Sequence, residues 1–186
     1  MNYYIKKKLC PMDFGYLKSI IGEELEEVSV PPLYDEPFSE GFRCFAVELI
    51  TSWNKVVVNN TVIDEKDHDE YFQLSVNDRF TRTTNSRWQI LNMDFSGAIM
   101  GITIYRDHVS WSDEEDSWEV EADVAILLHF KDSQILLKAI DSLAGFIAIY
   151  NDEEAIRHEI EDAESTWLRF KTDKVDQCYR ECLNLK

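Results

Sequence analysis

The stretch that most constrains the fold is Trp118–Phe130. Trp118, Val120, Ala122, Val124, Ile126, Leu128 and Phe130 occupy every second position, and Glu119, Glu121 and Asp123 begin the alternate set. Successive side chains of a strand point to opposite faces, so this spacing predicts a β-strand. The second set turns apolar at Ala125 and Leu127 and ends at His129. The predicted strand therefore enters from solvent and finishes buried on both sides, with Glu119, Glu121 and Asp123 as a carboxylate row on its outward face. Lys131-Asp132-Ser133 suits a hairpin connection, and Gln134–Ile140 a returning strand.

Further extended segments are predicted at Phe42–Trp53, Lys55–Ile63, Tyr71–Val76, Trp88–Asp94, Ala98–Tyr105, Gly145–Tyr150 and Trp167–Phe170, with Asp107-His108 as a turn. Helical spacing of Phe14, Leu17, Ile20, Ile21, Leu25 and Val28 predicts a helix near the start, capped by Asp13 and ended by Pro31 and Pro32. A loop with Pro37 and Gly41 follows, and Asp141–Leu143 is a short turn. A second helix is expected over Asp152–Ser165, where Asp152, Glu153 and Glu154 suit the positive end of the helix dipole. A third is expected over Thr172–Leu185, from Val175, Tyr179, Cys182 and Leu183. Strands in the middle with helices at the N- and C-terminal ends predict an α+β fold, a mostly antiparallel sheet, in a single domain spanning 1–186.

Charge narrows function. The chain carries 36 acids and 19 bases, a formal charge of −17. Such a field repels nucleic acid and anionic lipid and attracts basic proteins. No run reaches the roughly 18 apolar residues that span a bilayer, and the start lacks a signal-peptide core, so a cytoplasmic protein is expected. Cys10, Cys44, Cys178 and Cys182 are scattered and expected to be reduced.

Chemistry finds no foothold. Cys178 and Cys182 lack the second close pair that structural zinc needs, and His158-Glu159 lacks the second histidine of a zinc-protease helix. The acidic patch Asp64–Glu70, which includes His68, lacks calcium-loop spacing. His129 is expected to be a hydrogen-bonded core or boundary histidine. Arg79, Arg82, Arg87 and Trp88 form the single basic stretch, too weak for nucleic acid within this field. No catalytic residue, metal ligand or cofactor is assigned.

What remains is an acidic run studded with tryptophan. Trp111, Asp113, Glu114, Glu115, Asp116, Glu119, Glu121 and Asp123 are the candidate contacts for a basic partner, because carboxylates steer and tryptophan anchors. An acidic helix face holding Glu154, Glu161 and Glu164 is a candidate extension. Small size, strong acidity and the hairpin segment Val124-Ala-Ile-Leu-Leu-His-Phe-Lys-Asp-Ser-Gln-Ile-Leu-Leu137 give the chain a character that resembles immunity proteins of bacterial polymorphic and contact-dependent toxin systems. The resemblance implies an intracellular inhibitor that occludes one cognate toxin. A subunit of a larger complex and a phage-type DNA-mimic inhibitor are the alternatives.

Overall fold

The computed structural model describes residues 1–31, 42–67, 69–78, 88–93, 97–140, 145–170 and 172–186. His68, the loop with Pro37 and Gly41, the arginines Arg79, Arg82 and Arg87, Asp94 and the turn at Asp141–Leu143 lie outside the described residues.

The protein is largely β, with two mostly antiparallel sheets and few helices, rather than one sheet balanced by helices. The larger sheet has the order β12 (Gln177–Leu185), β8 (Gly101–Ser112), β9 (Ser117–His129), β10 (Gln134–Ala139), β11 (Ile147–Tyr150) and β3 (Phe42–Cys44), with β1 (Asn2–Lys7) also on β9. The smaller runs β6 (Glu70–Asn77), β5 (Lys55–Asp64), β4 (Ala46–Thr51), β2 (Leu25–Val30) and β7 (Gln89–Ile90). The expected strand Phe42–Trp53 passes between them. It breaks after Cys44, so β3 belongs to one sheet and β4 to the other. The corner is fastened by the Phe45–Phe146 ring stack and by Asn60, which donates to the Phe146 carbonyl at 2.8 Å. Gly145 passes so close that a Cβ there would lie 3.0 Å from the Asn60 carbonyl oxygen.

β9 organises the larger sheet. One edge pairs with β8 along nearly its whole length. The other edge is divided: β1 covers Ser117–Ala122 in parallel, and β10 covers Ala125–His129 antiparallel. Where the two meet, the register with β8 jumps. Tyr105 faces Ala125 while Arg106 faces Asp123, which leaves Val124 as the extra residue of a bulge. A bulge bends a strand and re-aims its side chains. Asp123, just before the bulge, keeps the face of Glu121, but the Leu9 amide and Arg106 close over it, so it is fully enclosed rather than outward-facing.

Three elements depart from the periodicity. The first helix, α1 (Pro11–Ser19), is short. Gly22 has φ of 88°, a left-handed conformation that turns the chain out of the helix, so Leu25 and Val28 lie on a strand. Asp13 does not cap from outside. It sits in the first turn, where its carboxylate accepts the Cys10 amide at 2.6 Å and the Val76 amide at 2.7 Å. The expected terminal helix is instead strand β12, paired residue for residue with β8. The expected strand Trp167–Phe170 belongs to a helix. Asp152–Ser165 divides at Asp162 into α2 (Glu153–Glu161) and α3 (Ala163–Phe170), with Asp152 and Asp162 each accepting an amide of the following turn. β8 also absorbs the expected turn at Asp107-His108.

Buried charge ties α2 to the sheet. Arg180 on β12 donates to both carboxylate oxygens of enclosed Asp107, at 2.6 and 2.8 Å, and to the Ile160 carbonyl at 2.6 Å. Lys138 on β10 donates to the carbonyl and carboxylate of Glu159. Two cations thus satisfy the last carbonyls of α2, the negative end of its dipole. Among the described residues no helix is long and apolar enough to cross a membrane.

Candidate functional site

Aromatic rings form a continuous ladder through the larger sheet. Tyr3 stacks on Trp118 at 5.5 Å between centroids, and Trp118 on Trp111 at 5.8 Å. Trp111 meets Trp167 at 6.4 Å, and Trp167 meets Phe72 at 5.5 Å. The pairing of β8 with β9 sets Trp111 directly opposite Trp118, so the stack follows from register. Two inner members are pinned through their indole N–H groups: Trp118 donates to Asp67 and Trp167 to Asp107, both at 3.0 Å. Trp111 is buried at 8% exposure, whereas Trp118 is half-buried, with its two ring faces covered by Tyr3 and Trp111.

Trp118 borders a cleft of about 380 Å³ that Asp67, Asp69, Asp113, Asp173 and Lys174 also line, together with Trp111. Three acidic segments far apart in sequence meet here: the loop after β5, the turn between β8 and β9, and the connection before β12. Asp67 is the fixed member. It accepts the Tyr71 hydroxyl at 2.7 Å as well as the Trp118 indole. Burial, and then this carboxylate, push the Tyr71 phenol above its ordinary pKa, so it remains a donor. Asp113 accepts the amides of Asp116 and Glu115 at 2.8 and 3.0 Å, which holds its carboxyl below the usual range and orders the turn. Lys174 is paired with Asp176 at 2.7 Å, which leaves the rim net negative.

The structure redistributes the sequence-based candidates. Asp113 lies on the cleft rim, and Glu114 and Glu115 are exposed in the same turn. Asp116 is half-buried and accepts the Met1 ammonium at 2.7 Å. Trp111 is interior to the ladder rather than an exposed anchor. Glu119 is exposed on the far face of β9. Glu121 is already engaged by Lys8 at 2.5 Å and Tyr4 at 2.8 Å, which draw its pKa down to about 2. Asp123 is a buried structural ion: Arg106 donates to it at 2.8 and 3.1 Å and the Leu9 amide at 2.7 Å. Two of the row Glu119, Glu121, Asp123 are thus neutralised from within, and Glu119 stays exposed. Glu154 and Glu161 are exposed on α2, but Glu164 belongs to α3, so the expected stripe is split.

The sequence reading missed Asp67, Asp69 and Asp173 as partners of Trp118. Their acidity was visible; their convergence depends on long-range pairing that no local pattern encodes. Among the described residues no three His, Cys, Asp or Glu side chains are grouped to hold a metal ion. His129 is half-buried, its pKa lowered by burial, and hydrogen-bonded to Thr103 and Gln134. Compared with family models, with curated proteins and with solved structures, the chain matches none.

Proposed function

We propose that this protein is a cytoplasmic inhibitor that captures and occludes a basic protein partner, most concretely an immunity protein against a cognate bacterial toxin. The observation that carries the reading is the cleft: separate acidic segments converge beside Trp118. An arginine or lysine of the partner would enter the cleft alongside that indole, with the carboxylates of Asp113 and Asp173 to receive its charge. The overall charge of −17 would draw the partner in from beyond contact distance. Occlusion then needs no covalent step.

The test pairs a growth assay with kinetics. The chain is co-expressed with the product of the reading frame next to its own, as the candidate toxin, and association of the two purified proteins is followed between about 20 and 200 mM salt. Protection is expected, with an on-rate that falls steeply as salt rises. In Asp113→Lys/Asp173→Lys the on-rate at low salt should drop by about tenfold or more. A salt-insensitive on-rate, or a double variant that associates as fast as the parent, overturns the reading.

A further inference from the structure

The last strand leaves one side of the larger sheet open. β12 pairs with β8 through all nine of its residues without a register shift, and no described strand pairs with its other side. Its outer row of amides and carbonyls is therefore presented for pairing. Two usual protections are missing, since β12 contains no proline and no bulge; its charges are inward Arg180, paired to Asp107, and exposed Glu181.

The sheet face beside this edge has its own chemistry. Tyr179, 60% exposed, stacks on His108 at 4.4 Å with the rings 4° from parallel. With Tyr4, Glu119 and Gln177 they line a groove of about 290 Å³ that runs onto β12. Glu181, two residues from Tyr179 and on the same face, is exposed, 3.3 Å from His108 Nε2 and 4.0 Å from Arg106. Arg106 is committed to Asp123 and Lys8 to Glu121, while Lys6 lies over the Tyr4 ring at the far end, so beside β12 the exposed charges are Glu119 and Glu181.

We infer that the free edge of β12 is a β-augmentation site: an extended segment of a basic partner adds as an eighth strand, placing a Lys or Arg beside Glu181 and an apolar or aromatic side chain against Tyr179. In an added antiparallel strand these two side chains are two residues apart, roughly 7 Å, and share a face. A second copy of this chain is the poorer occupant, since it would bring a further charge of −17 and another Glu181 to the same edge. The inference rests on the binding role proposed above and adds a second contact, distinct from the tryptophan cleft.

The probe is a synthetic nine-residue peptide, matched to the length of β12, with Lys and Phe at the two specified positions and a photo-crosslinker at one end. Binding is measured for this peptide, for a Lys→Glu twin, and for a version N-methylated along the docking edge, which removes backbone donors and leaves the protein untouched. Expected are cross-links within residues 177–185, loss of binding on N-methylation, and about tenfold weaker binding for the Glu twin and for Glu181→Lys. Equal binding of the N-methylated peptide, cross-links elsewhere, no binding, or a dimer in sedimentation that excludes the peptide would each overturn the inference. Asp113→Lys/Asp173→Lys should bind the peptide within about threefold of the parent, because the cleft is a separate site. If the peptide fails while that variant still slows capture of the toxin, the edge inference falls and the proposed function stands.

Discussion

Replacing Asp123 with alanine should unfold the protein far more readily than any other change in the acidic run. The carboxylate has no exposed surface and accepts three donors, two from Arg106 and one from the Leu9 amide. Its removal strands a largely buried guanidinium and a backbone N–H. Breaking a buried ion pair from one side costs about 3–5 kcal/mol. Arg106 retains some exposure and has Glu181 at 4.0 Å as an alternative partner, which places the loss near the lower end, about 3–4 kcal/mol. For a chain of this length that corresponds to a fall in Tm of about 10 °C. The assay is urea unfolding followed by tryptophan fluorescence, with Glu119→Gln as the exposed control, expected within about 0.5 kcal/mol of the parent. Replacing both partners, as Arg106→Met/Asp123→Leu, should recover most of the loss, since an apolar pair strands no charge. A loss below about 1 kcal/mol for Asp123→Ala would refute the enclosed-ion reasoning.

Other outcomes follow from single contacts. Lys8 and Tyr4 depress the Glu121 pKa to about 2 from an ordinary 4.5, so this group contributes stability above pH 4.5 that disappears as pH falls toward 2; Glu121→Gln should flatten that limb in acid titrations. Gly145 has φ of 69° and would press a Cβ against the Asn60 carbonyl, so Gly145→Ala should cost about 1–3 kcal/mol in the same urea assay. Burial pushes the Cys44 thiol up to about 12 and the Cys178 thiol up to about 11, whereas Cys10 and Cys182 are exposed. Two thiols should therefore react rapidly with an alkylating agent in the native state, and Cys44 only after denaturation, read by mass spectrometry.

The strands that were legible in sequence are those whose burial either alternates or runs unbroken over a strand's length. β5, β6 and β10 lie close to their expected bounds for that reason. β12 was illegible because the face it turns inward carries Cys178 and Arg180 rather than an apolar row, so no period-two pattern shows. Val175, Tyr179, Cys182 and Leu183 happen to recur at helical spacing, and only pairing with β8 makes the segment extended. The burial of Asp123 was equally hidden: it continues the alternation of Glu119 and Glu121, and only the long-range approach of Leu9, together with Arg106, encloses it. The acids of the cleft could be counted beforehand, but their meeting around Trp118 is a property of topology.

The divided edge of β9 also dictates an order of events. Asn2 and Ser117 are 115 residues apart, yet β1 must find that half of β9 after β8 and β10 have formed their local hairpins with it. Closing so long a loop carries an entropic penalty that the two hairpins avoid, so β1 docks late. Substitutions in β1 should then leave the refolding rate almost unchanged and appear as faster unfolding. The strand acts as a latch: it contributes little to reaching the native state and much to how long the chain stays there.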